Sequence, residues 1–136
     1  MKEKLILGIT SIFFLSFFSC DTDESVGRWD DNIKLSQKEI RFTAESNAVT
    51  VTTEGTDWRI NEIGFNDDWN NDLNIDTTQE NFLIEESEFT IERKNAREIY
   101  ITMTENILDT ERTLIIALQS GNYFDGIRII QSKNGE

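Results

Sequence analysis

The stretch FTIERKNAREIYITMT, residues 89–104, decides the fold class, because its apolar residues recur at every second position. A period of two is typical of a β-strand with one buried face and one wet face, whereas an amphipathic helix has a period near 3.6. Lys94-Asn95 provides turn chemistry between the two alternating runs. The residues predicted to face the core are Phe89, Ile91, Ile99, Ile101 and Met103.

The same alternation extends outward along the chain, with turn residues at intervals that suit a sandwich of short antiparallel strands. Further alternating runs cover 33–36, 40–43, 49–52, 58–61 and 127–130, while 114–118 is apolar on both faces and is predicted to be a central strand. Turn residues occupy 46–47, 54–57, 109–110 and 120–122. Residues 64–81 are long and polar for a connection, and we interpret them as one extended loop.

The N-terminus has the pattern of an export signal rather than of a folded element. Lys2 and Lys4 precede an apolar segment, residues 5–18, which is too short for a permanent membrane span. It ends at Ser19-Cys20, the position of the single cysteine of the chain, which resembles a lipoprotein cleavage and acylation site. We therefore expect a lipoprotein signal peptide over 1–19, a lipid on Cys20, an acidic tether over 20–32 and one domain over 33–136.

The residues after Cys20 suggest where the lipoprotein is displayed. Asp21-Thr22-Asp23-Glu24 resembles the signal that sends Bacteroidetes lipoproteins to the outer face of the outer membrane. The sequence thus predicts a protein that is lipid-anchored in the outer membrane and exposed at the cell surface, with retention on the periplasmic side as the alternative.

Composition removes several function classes. The net charge of −13 disfavours nucleic acid and anionic headgroups as partners. The chain has no histidine, so neither a Ser-His-Asp nor a Cys-His arrangement can form. With 26 acidic residues, pairs of carboxylates are unavoidable and carry little information about glycoside hydrolysis. We expect a protein without catalytic activity or cofactor, in contact with the membrane only through the lipid.

Several segments, taken in order, resemble the BACON domain. They are residues 35–45, 49–52 and Trp58, followed by 89–93, 99–106, 111–113, 118–125 and 127–131, so that the resemblance spans roughly residues 33–131. It implies an immunoglobulin-like antiparallel β-sandwich of about 7–8 strands, as found in surface and secreted Bacteroidetes proteins. It also implies a glycan- or mucin-binding module or, as the alternative, a structural spacer or protein-interaction accessory that works with a separately encoded surface protein.

Exposed aromatic residues are the candidates for sugar binding, because sugar rings stack their C–H faces on Trp and Tyr. Trp69 is the first candidate, with Asp67, Asp68, Asn70 and Asn71 beside it as partners for hydroxyl groups. Tyr123 and Phe124 are the second, although both also suit packing under a turn. Trp58 opens an alternating strand and is predicted to belong to the core.

A weak calcium pattern overlaps the first candidate. Oxygen-bearing residues stand at every second position, at Asp68, Asn70, Asp72, Asn74 and Asp76. Leu73 and Gln79 stand where an EF-hand loop needs Gly and a bidentate Glu, so a solvated acidic loop is the favoured interpretation and no metal site is predicted.

Overall fold

A computed structural model describes residues 30–135, in which nine β-strands and no helix are present. The predicted signal peptide, Cys20 and the tether as far as residue 29 lie outside this range. Within it, no helix has the length and apolarity to cross a bilayer. The strands are β1 (Glu39–Phe42), β2 (Asn47–Thr52), β3 (Arg59–Phe65), β4 (Asp68–Asn70), β5 (Phe82–Glu85), β6 (Phe89–Lys94), β7 (Glu98–Met103), β8 (Arg112–Ser120) and β9 (Tyr123–Gln131).

The strands form two sheets that pack as a sandwich. One sheet has the order β1-β9-β8-β3-β4 and the other the order β2-β7-β6-β5. All pairs are antiparallel except β1 with β9, in which Glu39 is the partner of Arg128. The third strand shares its sheet with the last two of the nine, β8 and β9, as the third strand of an immunoglobulin sandwich does with its last two strands. The predicted all-β sandwich is confirmed, with nine strands rather than about seven or eight.

Alternation along the strands builds the core between the sheets. In β8 every second residue is buried, and this strand lies at the centre of the five-stranded sheet, as the sequence predicted. Trp58 is 3% exposed and belongs to the core, which confirms its predicted role. The fully buried apolar residues are Ile33, Val51, Ile91, Ile99, Ile101, Leu114, Ile116, Leu118, Ile127 and Ile129, each at 0% exposure.

The structure differs from the predicted single loop over 64–81. Gly64 and Phe65 end β3, a two-residue turn follows, and Asp68–Asn70 form the edge strand β4. The connection that lacks regular structure is therefore residues 71–81, which lead into β5, an edge strand absent from the sequence prediction. The predicted first strand at 33–36 reduces to a buried Ile33 and an isolated bridge between Leu35 and Thr53.

Arg93 fills a core position of β6 and joins three loops at one end of the sandwich. Its side chain is 1% exposed, and its guanidinium lies 3.6 Å from the centre of the Trp58 ring. Nε donates to the carbonyl of Ala96 at 3.0 Å, Nη1 to Trp58 at 2.8 Å and to Gln79 at 3.1 Å, and Nη2 to Thr56 at 2.6 Å. Burial lowers the pKa of Arg93, but a guanidinium stays charged at neutral pH. Backbone carbonyls, rather than a carboxylate, thus satisfy this buried cation.

A second buried arginine closes the opposite end. Arg112 donates from Nε and Nη2 to Oε1 of Gln131, at 2.9 Å and 2.6 Å, and from Nη2 to the carbonyl of Thr104. Gln131 in turn donates to the carbonyls of Thr104 and Glu45, at 2.9 Å and 3.1 Å. Because the donors meet loop carbonyls, both ends of the sandwich are held by polar contacts that no apolar side chain could replace.

Candidate functional site

The β3–β4 hairpin positions Trp69, the first candidate from the sequence. Asn66 and Asp67 form its turn with φ of +48° and +67°, the left-handed pair that a two-residue hairpin turn of type I′ requires. The backbone N–H of Asn66 donates to the carbonyl of Thr113 at 2.9 Å, and that of Thr113 donates to Oδ1 of Asn66 at 2.9 Å. These two hydrogen bonds attach the turn to β8. They thereby determine the position of β4 and of the Trp69 side chain on it.

Trp69 rests on a glycine of the neighbouring strand. Gly64 is its direct cross-strand partner, and a Cβ built on Gly64 would lie 2.9, 2.9 and 3.0 Å from three carbons of the six-membered ring. Near-equal distances to three ring atoms mean that one face of the indole covers Gly64. The opposite face points outward, and the side chain is 47% exposed. The absence of a side chain at Gly64 thus leaves room for the indole to lie flat on the backbone, and any larger residue would occupy that space.

The indole lies at one side of the outer face of the five-stranded sheet. Strand pairing places Gly64, Ile115 and Arg128 in one row that begins at Trp69 and runs across the strands. The other outward positions of β8 and β9 mix small or apolar residues with two polar ones, namely Ala117, Gly126, Ile130 and Phe124 with Thr113 and Gln119. The sheet therefore presents a shallow, partly apolar surface bordered by an exposed aromatic ring.

The polar residues predicted to accompany Trp69 are divided between different places. Asp67 is exposed in the turn, whereas Asp68 and Asn70 point to the other side of β4 because side chains alternate along a strand. There they line a cavity of about 270 Å³ between the sheets, with a floor that includes Phe65 and Phe89. Asp68 and Asn70 thus do not share the face of the indole.

Asn71 does lie close to Trp69 and opens a second, larger cavity. Residues 71–78 curve back beside the β-bulge at Ile60 and Glu62 and enclose about 630 Å³ of open space. Its polar lining comprises Arg59, Asn61, Asn71, Asp72, Asn74, Asp76 and Thr78. Asn71 follows Trp69 by two residues, so their Cα atoms are at most about 7 Å apart. Asn71 therefore links the segment that carries the indole to a cavity lined by amide and carboxylate groups, although Trp69 does not itself line that cavity.

The alternating oxygen residues do not converge as a calcium loop would require. Asp68 and Asn70 line the smaller cavity, and Asp72, Asn74 and Asp76 line the larger one. Asp76 already accepts hydrogen bonds from Thr78 and Gln79, which lower the pKa of its carboxyl. In the part of the chain described, no cluster of three or more acidic, His or Cys side chains could hold a metal ion.

Tyr123 and Phe124, the second candidates, point to opposite faces of β9. Tyr123 packs against the core and donates from its hydroxyl to Asp125 at 2.9 Å. Burial and this carboxylate raise the pKa of Tyr123. Phe124 is 60% exposed on the same outer face as Trp69, but its row crosses β8 at Gln119, about 14 Å along the strand from Ile115 in the row of Trp69. Tyr123 thus has a packing role, and only Phe124 shares the face of the indole.

The fold places this chain in the class of all-β sandwich proteins. No protein-family model matches the sequence, and no curated protein matches it. The chain is similar in structure to a protein from Bacteroides thetaiotaomicron solved by NMR, with a TM-score of 0.62 and 14% sequence identity. The match covers 80% of this chain and 93% of that chain. At this identity the likeness concerns the fold.

Proposed function

We propose that this protein is a non-catalytic, BACON-type module that binds glycans at the cell surface while a lipid on Cys20 holds it in the outer membrane. The observation that carries the binding proposal is the indole of Trp69, seated on Gly64 with its other face open to solvent. Such a ring offers a sugar a flat apolar platform, and the cavity formed by residues 71–78 adds polar groups for hydroxyls. Pairing of β4 with β3 holds the indole against Gly64.

The test is a glycan array and a mucin pull-down with the full chain in mild detergent. Trp69→Ala should lower affinity roughly tenfold, because the platform is removed. Gly64→Ala keeps the tryptophan but adds a Cβ 2.9 Å from its ring, so the indole must move and binding should fall as well. Leu83→Ala is the matched control, since Leu83 is also 47% exposed but lies on the other sheet. Absence of binding to every glycan would refute the proposal.

The proposed anchorage has its own test. Cys20→Ser should abolish incorporation of radiolabelled fatty acid, because the thiol is the proposed acylation site. Intact cells that express the wild-type chain should lose it on treatment with an external protease if the domain is displayed outward. Fatty acid incorporation into the Cys20→Ser protein would contradict the anchorage, and protection from protease would contradict the display.

The cavity between β4 and the β5–β6 turn favours protein interaction as the second function. Its floor contains Ile63, Phe65 and Phe89, and Asp68, Glu86 and Glu88 line its rim. An apolar floor with an acidic rim suits a lysine or arginine side chain of another protein. Its methylene groups would contact the apolar floor, and its charged group would contact the carboxylates of the rim. Cross-linking on cells with Glu86→Gln and Glu88→Gln as controls would decide whether a partner docks there.

A further inference from the structure

The outer face that carries Trp69 differs in charge from the rest of this acidic protein. Its outward strand positions hold three arginines, Arg41, Arg59 and Arg128, against Glu39 and Glu62. The outer face of the other sheet holds only Lys94 against Glu85, Glu92 and Glu98. In a chain of net charge −13, the cations that remain on a sheet surface are thus concentrated on the face that carries the indole.

Two of these arginines have unused donors. Arg41 and Arg128 are exposed, and no acidic oxygen lies within 4.0 Å of either among residues 30–135, where the ion pairs are Lys34–Glu54, Lys38–Asp125 and Lys94–Glu92. Arg128 stands beside Glu39 and diagonally from Arg41, with about 8 Å between the two arginine Cα atoms. Two guanidinium groups against one carboxylate leave this corner of the face positive.

The strand register gives the distance between this corner and the indole. Trp69, Gly64, Ile115 and Arg128 occupy one row on β4, β3, β8 and β9, so three strand spacings, about 14 Å, separate Trp69 from Arg128. Ile115 is half-buried between them and offers an apolar contact. The row therefore presents an aromatic platform, an apolar middle and a cationic end in a straight line.

We propose that the glycan bound here is acidic: one sugar ring stacks on Trp69, and a carboxylate or sulfate of a sugar further along the oligosaccharide binds Arg128 and Arg41. This inference rests on the proposed function. The planar guanidinium fork matches both anions and binds them in bidentate geometry. A short oligosaccharide with few charges meets only this face, whereas a polyanion would also meet the acidic remainder of the protein.

The experiment titrates the full chain in mild detergent with three probes: a sialylated oligosaccharide, its sulfated analogue and their neutral parent. Both acidic probes should bind more tightly than the parent, and their advantage should shrink as ionic strength rises. Arg128→Gln and Arg41→Gln should each lower affinity for the acidic probes roughly fivefold and leave the parent unaffected. Lys133→Gln removes another exposed cation, located after the end of β9, and should change nothing.

The outcomes separate this inference from the function on which it rests. Equal binding of acidic and neutral probes, with Trp69→Ala weakening both, would overturn the acidic ligand and leave glycan binding intact. Acidic binding that depends on Arg128 but survives Trp69→Ala would overturn the shared row. Failure of all probes together with every glycan of the array would overturn both proposals. Tighter binding of only one acidic probe would overturn the expectation that carboxylate and sulfate both bind here, and would restrict the proposed ligand to that anion.

Discussion

Replacing Arg93 with methionine tests whether this buried cation holds one end of the sandwich together. Four carbonyls within 3.1 Å would lose their donor, and each hydrogen bond to a charged group contributes about 1.5–3 kcal/mol. Removing the guanidinium also returns its desolvation cost, which is several kcal/mol. Because the carbonyls belong to the backbone and remain, we expect a net loss of about 3–5 kcal/mol. That is a large part of the 5–15 kcal/mol typical of a domain.

Urea denaturation followed by circular dichroism measures this loss. With a slope near 2 kcal/mol/M, the midpoint for Arg93→Met should fall by about 2 M, and Arg93→Lys should fall by less, since it keeps the charge but loses the fork and the stack on Trp58. Arg97→Met, an exposed change three residues after β6 ends, should cost under about 1 kcal/mol. A midpoint for Arg93→Met within about 0.5 M of wild type would refute the reasoning.

Two further predictions concern the hairpin turn and the alkaline limit of stability. Asp67→Gly should raise the free energy of unfolding by about 0.5–1 kcal/mol, because φ of +67° strains any residue with a Cβ; a lower urea midpoint would contradict this. The folded state raises the pKa of Tyr123, so its contribution to stability is full below pH about 10 and is lost as pH rises through the folded pKa. Tyr123→Phe should flatten the fall in urea midpoint above pH about 10, and an unchanged slope would count against this assignment. Because Lys38 pairs with the same Asp125 at 2.7 Å, Lys38→Met is measured separately.

The alternating pattern predicted most of the strands because burial on one side leaves a period of two in the sequence. The alternating pattern does not predict β4, because Asp68–Asn70 is short and exposed throughout. The turn before β4 determines its position. The pattern does not predict β5 either, because Leu83 is an apolar residue on the solvent-exposed face and interrupts the alternation. Edge strands are paired on one side only, so their sequences carry a weaker record of burial.

The sequence predicts the aromatic residue of the candidate site but not the residues around it. Trp69 was identified from its type and polar neighbours, whereas its seat on Gly64 and its row with Arg128 depend on strand register, which one sequence does not determine. The buried arginine did leave a signal: Arg93 continues the inward positions of Phe89 and Ile91. An arginine at an inward position of a strand indicates a buried hydrogen-bond network, which the alternating pattern alone does not predict.

The pairing of β1 with β9 determines when the five-stranded sheet can be completed. β9 is the last strand to be made, yet it lies between β1 and β8, so Glu39 must wait for Arg128 before its strand has a partner. Long-range closure of this kind slows folding, because the entropy of the intervening chain is lost before the contacts form. During synthesis from the N-terminus, the five-stranded sheet therefore stays incomplete until β9 has been made. Any truncation within β9 would leave β1 and β8 with open edges, ready to accept the missing strand from another copy.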